Sequence, residues 1–541
     1  MQTMQRYSLV AITVVLLGSS ARAQSFRVQC PDTTSLHPGT CAGGTNAGLS
    51  CLTATDCPGT AGTCVPIGAG ANPNHPGQIK CQHVGGGDGY ATMGDGHQIY
   101  LFAFSPLSGL SDIEAGRPGT QTTDVFNSGY AGPNYATTGT CSGGGNAGES
   151  CRVVQDCPDP TSAGVACKSS STSLAAAPNN AAIKEPAAIM DMGVLAGNAP
   201  APLMAIDEDD EFFLTLSNPG MIMRPDLFEQ HTIHFHGYPN ASSYFDGVPD
   251  SSVAINIAGS FTYYYTAPDP GTYFWHCHIT PPEHLQMGMV GQLYVRPRQN
   301  RLTSTQPLRD ALIASNRRAA VDPLATGLAC SDILCTGQTP APAPNAAVGG
   351  GRYAYNDGDG STRYDVEYPI QMMGFDPNFH YVGMTFNPEA FADMKDKYFL
   401  LSGRSYPDTV NPSPITTMSS DGVSRPSQPL PSLITLNKTA GQTRALLRIS
   451  DLSVTEFTTL ATIGIPMTVI AQNARMLRDT AGNNLSYNTN SITLGGGESA
   501  DVILDASAVP PGTYFLYSTN LDHLSNDAEN FGGMMTEIQV N

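Results

Sequence analysis

At 541 residues the chain has room for two or three domains and a substantial core. Its net charge of −20 argues against nucleic acid and anionic membrane surfaces as partners. Only 13% of residues are charged, while 56 are glycine and 41 proline, which disfavours a helical architecture and favours β-sandwiches.

Residues 1–23 read as an export signal: Arg6 precedes an apolar run from Leu9 to Leu17, and Ala21-Arg22-Ala23 is a small-x-small cleavage site. The run is too short to span a bilayer and no other stretch approaches that length. The expectation is a soluble periplasmic or extracellular protein without membrane insertion. Twelve of the thirteen cysteines lie outside the stretch 231–289, leaving Cys277 as the odd thiol among them. That division suits disulfides plus one cysteine kept for other chemistry.

Residues 24–85 form a Cys-rich N-terminal module with Cys30, Cys41, Cys51, Cys57, Cys64 and Cys81. The segment Gly-Thr-Cys41 to Ser-Cys51 recurs one hundred residues later as Gly-Thr-Cys141 to Ser-Cys151. Such modules carry too little apolar content for a core, so disulfides are expected in preference to four-cysteine zinc sites. A sandwich domain is expected over residues 86–297, beginning with the alternating segment Asp95–Phe104 and interrupted by the second module at about 138–170. Ala201–Ile206 and Glu211–Asn218 supply further strands. Met190, Met192, Met221 and Met223 read as core or loop filler rather than a copper-loading surface.

The chemistry concentrates between His231 and Met289, which hold six of the twelve histidines. The stretch opens with His231-Thr-Ile-His234-Phe-His236-Gly237 and closes with Trp275-His276-Cys277-His278, His284 and Met289. Alternate residues of a strand share a face. His276 and His278 therefore look one way and Cys277 the other; His234 and His236 share a face that His231 does not. On one side His231, Cys277, His284 and Met289 give two imidazoles, a thiolate and a weak thioether, the donor set of a blue (type 1) copper centre. On the other, four imidazoles suit a second copper. The bland alternative is a set of buried histidines satisfied by hydrogen bonds. Trp275 beside them reads as core packing.

The pattern H-x-x-H-x-H-G followed by H-C-H and a later histidine and methionine resembles the copper motifs of the multicopper oxidases, the group of laccases and two-domain copper oxidases. The resemblance implies cupredoxin-like Greek-key domains. It makes His231, Cys277, His284 and Met289 type 1 ligands, His234 a type 2 ligand, and His236, His276 and His278 type 3 ligands. Phe245-Asp246-Gly247-Val248-Pro249 resembles the family's acidic proton-delivery segment, although Asp246 also suits an ordinary turn before glycine. Six residues separate Cys277 from His284 where the usual oxidase motif has four. That longer loop is similar to copper nitrite reductases, whose pattern lacks the second histidine of H-C-H.

Residues 298–352, with Pro340 to Pro344 and Gly349 to Gly351, read as a linker. Residues 353–541 echo the first sandwich without its ligands. Gly271 to His278 aligns with Gly512-Thr-Tyr-Phe-Leu-Tyr517-Ser518-Thr519, and the histidine frame falls on Thr458, Ala461 and Ile463. His523 with Met534 and Met535 resembles a remnant of the type 1 loop, and His380 reads as structural. The fold expected is all-β: two cupredoxin-like sandwiches plus small disulfide-rich modules.

The family's oxygen-reducing cluster draws histidines from two facing domains, and this chain supplies only one domain's share. Three readings stand. Two copies could face each other across a two-fold axis. The four histidines could hold one copper, with His380 or His523 from a neighbour, as in a nitrite-reductase-like enzyme. Or type 1 copper alone could work, in electron transfer or copper binding. The leading expectation is an exported copper-dependent oxidoreductase. It would oxidise a small-molecule, metal-ion or redox-protein donor near His284 and pass electrons through Cys277 to the second site, which would reduce oxygen or another small acceptor. A homo-oligomer, dimer or trimer, is part of that expectation.

Overall fold

The computed structural model describes residues 26–66, 77–131, 179–301 and 351–541, with breaks at 239–241, 268, 386–389 and 480–481, together with fragments between 139 and 169. Residues 1–25 and 302–350 lie outside it, so the export signal, most of the linker, Cys330 and Cys335 are not described.

The first sandwich sets two sheets face to face. One runs in the order Ser260–Thr266, Glu211–Ser217, Ile79–Thr92, Gln98–Pro106; the other runs Met204–Asp207, Val290–Arg296, Gly271–His276, His234–Phe235. Their inner faces enclose Phe102, Phe104, Phe212, Leu214, Tyr263, Tyr265 and Trp275. Trp275 is fully buried, 4.8 Å from Phe104. Met221 sits in the same core and Met192 in a neighbouring apolar cluster, as filler.

Two boundaries differ from those expected from the sequence. The first domain does not begin at 86, because strand Ile79–Thr92 crosses that point and pairs in parallel with Glu211–Ser217. Within its Val84-Gly-Gly-Gly sequence, a Cβ on Gly86 would lie 2.7 Å from the His231 ring. Only glycine lets a central strand pass that close. The linker likewise does not begin at 298. Arg298–Arg301 is a short 3-10 helix docked on the first domain, where Arg298 pairs with Glu208 and Asp209.

Strand Gln98–Pro106 is buried on both faces rather than alternating with solvent. Tyr100, Phe102 and Phe104 point into the sandwich, while Ile99, Leu101 and Ala103 join Met373, Phe375 and Leu400 of the second domain. A sheet covered on both sides loses the polar alternation expected of a half-exposed strand.

The N-terminal module is held by Cys41–Cys57 and Cys51–Cys64, and Cys30–Cys81 ties it to the first strand of the sandwich. Strands Gly39–Ala42, Ser50–Cys51 and Thr63–Val65 form a small sheet whose order recurs in Gly139–Cys141, Ser150–Cys151 and Cys167–Ser169. Cys141 is disulfide-bonded, as its counterpart Cys41 is.

The second sandwich has sheets built around Val366–Phe375, Arg444–Asp451 and Ser499–Asp505 on one side and Met535–Val540, Gly512–Ser518 and Thr458–Ile463 on the other. The domains meet through an ionic seam. Arg296 of the first domain and Arg448 of the second both bond Glu367, and Thr272 donates to Asp501 at 2.6 Å. Burial would raise the Glu367 carboxyl, but Arg448 and Arg296 override it and hold the pKa at about 2. Glu367 therefore stabilises the fold above its unfolded pKa near 4.5, and that contribution is lost as pH falls toward 2. Glu367→Gln, which leaves two arginines short of a charge, is expected to cost about 3 kcal/mol in chemical denaturation at neutral pH. It should also flatten the loss of stability between those two pH values.

Candidate metal centre

Pairing of His234 with His276 and Phe235 with Trp275 brings the two histidine segments edge to edge. His231 is fixed separately by a bridge to Ile255. The next segment resolves the long spacing after Cys277. Residues Pro281–Gln286 wind into a short helix, with proline at its start where no N–H is needed, and that turn absorbs the extra residues and delivers His284.

Inside the first domain, Cys277 Sγ lies 3.3 Å from His284 Nδ1 and 3.9 Å from His231 Nδ1. Thr232 N–H donates to the sulfur at 3.4 Å. All three side chains and Met289 are fully buried, and Met289 is tied to the group through its backbone, donating to His284 O and accepting from Cys277 N. Burial alone would raise the Cys277 thiol, but His284 and His231 hold it well below the ordinary range. Burial likewise disfavours charge on His284, yet Cys277 and Glu229 raise it to about 10. Glu229 Oε2 stands 3.6 Å from His284 Nε2 at the molecular surface. A buried thiol whose ionisation is favoured by two imidazole Nδ1 atoms, with the Met289 backbone bonded to the same group, fits a type 1 copper.

On the opposite face the rings of His234, His236, His276 and His278 cluster at centroid separations of 5.0 to 5.4 Å. His234 Nδ1 donates to Asp246 O at 2.7 Å and His276 Nδ1 to Cys277 O at 2.6 Å. Both rings thus present Nε2 inward, and His236 Nε2 faces His276 Nε2 at 3.1 Å. When the outer nitrogens carry the protons, two lone pairs confront each other, which a cation between them resolves. Burial first, then the neighbouring imidazoles, keep His276 and His236 below the usual histidine range, as ligands must be neutral. The donor chemistry fits copper here too. Asp246 Oδ1 lies 3.5 Å from His234 Nδ1, so this residue borders the cluster by carbonyl and carboxylate alike.

The face is half open: His276 is buried, His234 and His278 are partly exposed and His236 is exposed. What approaches it from the second domain is backbone. A Cβ on Gly497, which has a φ of +88°, would sit 2.6 Å from His236 Nδ1. Among the described residues the second domain adds no imidazole. His380 is buried between the carbonyls of Tyr100 and Gln286. His523 is buried between Ser518 and Glu456. Neither is free to ligate a neighbour's copper, which corrects that part of the expectation from sequence.

His523 belongs to a close geometric copy of the first site. Ser518 Oγ to His523 Nδ1 is 3.1 Å, Ser518 N donates to Met534 O, and Met534 N donates to His523 O. These match the bonds among Cys277, His284 and Met289. Glu456 stands on His523 Nε2 as Glu229 does on His284, and buried Thr458 occupies the frame position of His231. Phe399 stacks on the His523 ring at 4.0 Å. Here hydrogen bonds join the groups. Accordingly, Ser518→Cys in a Cys277→Ser background is expected to add no intense visible band to the copper-loaded protein, because the second imidazole is still missing.

Residues 172–299 and 392–537 match two family models, each described as multicopper oxidase, together just over half of the chain. The multicopper oxidase MCE of Talaromyces pinophilus is 31% identical over 112 residues, 20% of this chain and 17% of that protein. Laccase abr2 of Aspergillus fumigatus is 33% identical over 107 residues, 19% of this chain and 17% of that one. The iron transport multicopper oxidase FET3 of Gibberella zeae is 38% identical over 85 residues, 15% and 12% of the two chains. The matches span less than a fifth of these relatives' own length. Among solved structures, the blue copper oxidase from Nitrosomonas europaea superimposes with a TM-score of 0.40 at 20% identity, covering 64% of this chain and 78% of that one. With two matched family models together covering just over half of it, the first enclosing the histidine and cysteine motifs, the chain belongs to the multicopper oxidase family, whose members use copper.

Proposed function

We propose that this protein is an exported copper-dependent oxidoreductase of multicopper oxidase type. The observation that carries the reading is one covalent link: the peptide His276-Cys277-His278 places a thiolate in one donor set and two imidazoles in the other. Copper held by these two donor sets would supply one-electron chemistry, taking electrons from a donor near His284 and delivering them to oxygen or another small acceptor at the histidine face.

The protein's own part is positional. Cys277, His231, His284 and Met289 make a buried type 1 donor set in which the two imidazoles favour the thiolate. Glu229, at the surface edge of His284, offers a carboxylate where a phenol's proton or a metal ion's charge would be met. Ring nitrogens of His234, His236 and His276 lie within 4.8 Å of one another, with the His278 ring beside them, and the group is open on the His236 side, where a small acceptor or a second copy has access. Asp246 beside His234 is assigned as proton relay to that space. Disulfides in the N-terminal module support an oxidising, periplasmic or extracellular setting. No helix among the described residues is long and apolar enough to cross a membrane.

The absence of second-domain imidazoles among the described residues favours one alternative, a type 1 copper electron-transfer or copper-binding protein without oxidase activity. A nitrite-reductase-like enzyme with one copper on the four-histidine face is the other. Copper per chain, measured with oxygen uptake on a phenolic or ferrous donor, separates them. Two or more coppers with uptake is the expected result. One copper and no uptake selects the carrier, and anaerobic nitrite reduction selects the third reading.

A further inference from the structure

The second domain has lost its ligands, yet it is built around the loop that carries two of the first domain's. His284 and Met289 are separated by four residues, and each of those four meets second-domain groups. Leu285 packs on the apolar cluster that Met373, Phe375, Leu400 and Leu452 share. Gln286 is fully buried and held at three atoms. His380 Nε2 faces its carbonyl at 2.9 Å, its Nε2 donates to Asp396 Oδ1 at 2.8 Å, and Asp376 N–H donates to its Oε1 at 3.0 Å. Met287 lies against Gly383, where an added Cβ would come within 3.0 Å of its methyl. A Cβ on Gly288 would be 3.8 Å from the Phe375 ring.

These partners are themselves fixed before they meet the loop. Asp376 caps its own helix, Pro377–Gly383, by accepting from Asn378 N and Phe379 N, and takes Lys395 N on its other oxygen. Asp396 accepts from Thr455 Oγ1 at 2.7 Å. His380 stands between Gln286 O and Tyr100 O; kept neutral by burial, the ring donates its one N–H to one carbonyl at a time and wedges the ligand loop against strand Gln98–Pro106.

We infer that His380, Asp376 and Asp396 are positioning residues for the type 1 site, clamping Gln286 so that His284 and Met289 keep a fixed separation about the Cys277 sulfur. Outer partners that orient the ligand side chains would tune a copper centre held by them. The inference rests on the type 1 reading, and under it the ligandless domain serves to hold the geometry of the site beside it.

The test uses the full-length copper-loaded protein, with His380→Leu, His380→Gln and Gln286→Leu compared against Thr272→Val. The last weakens the same domain interface at Asp501 without touching the loop. The expected result is that His380→Leu and Gln286→Leu retain type 1 copper but shift its reduction potential and its electron paramagnetic resonance parameters. His380→Gln, which keeps a donor for the Gln286 carbonyl, should move them less and serve where the leucine variant does not fold. Thr272→Val should lower the unfolding midpoint with the copper spectrum unchanged. The inference is overturned if the loop variants lose only stability, or if Thr272→Val shifts the potential as far as they do. A native protein with no intense visible band overturns the type 1 reading itself, and is distinguished by needing no variant to see.

Discussion

Cys277→Ser is expected to abolish the intense visible absorption of the copper-loaded protein outright and, with it, oxygen uptake on any donor. The swap changes one atom in a fully buried position, so it tests chemistry rather than packing. Cys277 is a free cysteine, so no disulfide is broken. His284 and His231 pull the Cys277 thiol well below its ordinary pKa; a serine hydroxyl stays protonated beside them and offers no soft donor for copper. The protein already contains the outcome of this substitution in Ser518, which meets His523 by hydrogen bond. The four imidazoles lie on the other face, where Asp246 O and Cys277 O orient the rings of His234 and His276, and serine leaves both carbonyls in place. Copper there should be retained, so that metal analysis falls by one equivalent and not to zero. A surviving blue band in this variant would falsify the assignment of Cys277.

The clustering of the candidate donor side chains was legible from the sequence because its logic is local. Strand parity separates Cys277 from its flanking histidines whatever the rest of the fold does, and the H-x-H spacing fixes which rings share a face. The ghost of the site in the second domain was legible for the same reason: Gly512 to Thr519 keeps the strand, and Ser518 stands in register with Cys277. What stayed hidden depends on contacts distant in sequence. The strand Ile79–Thr92 runs across the boundary drawn between the Cys-rich module and the sandwich, and only the fold shows that His231 needs the space above Gly86. His380 carries no motif, since its partners are the carbonyls of Tyr100 and Gln286, which any residue type could supply. Gly497 likewise gives no sign that its backbone will stand against His236.

The complementary expectation concerns the open face. His236→Ala with His278→Ala removes two of the four imidazoles, both reachable from solvent, so the fold should tolerate the change. His234 and His276 stay in register, but two nitrogens cannot hold a copper against competing chelators as four can. Loss of an outer-shell partner alone typically costs 10- to about 100-fold in metal affinity, and loss of two direct ligands should exceed that. Oxygen uptake is therefore expected to fall more than about 100-fold, with the blue band intact because the Cys277 face is untouched. Stopped-flow reduction by a donor under anaerobic conditions should still bleach that band at the native rate. The pair of variants thus dissects the protein in both directions: the serine variant keeps a metal site that receives no electrons, and the alanine variant keeps a type 1 site with nowhere to send them. Unchanged oxygen uptake in the alanine variant would place acceptor reduction somewhere other than the four-histidine face and leave those rings a structural role.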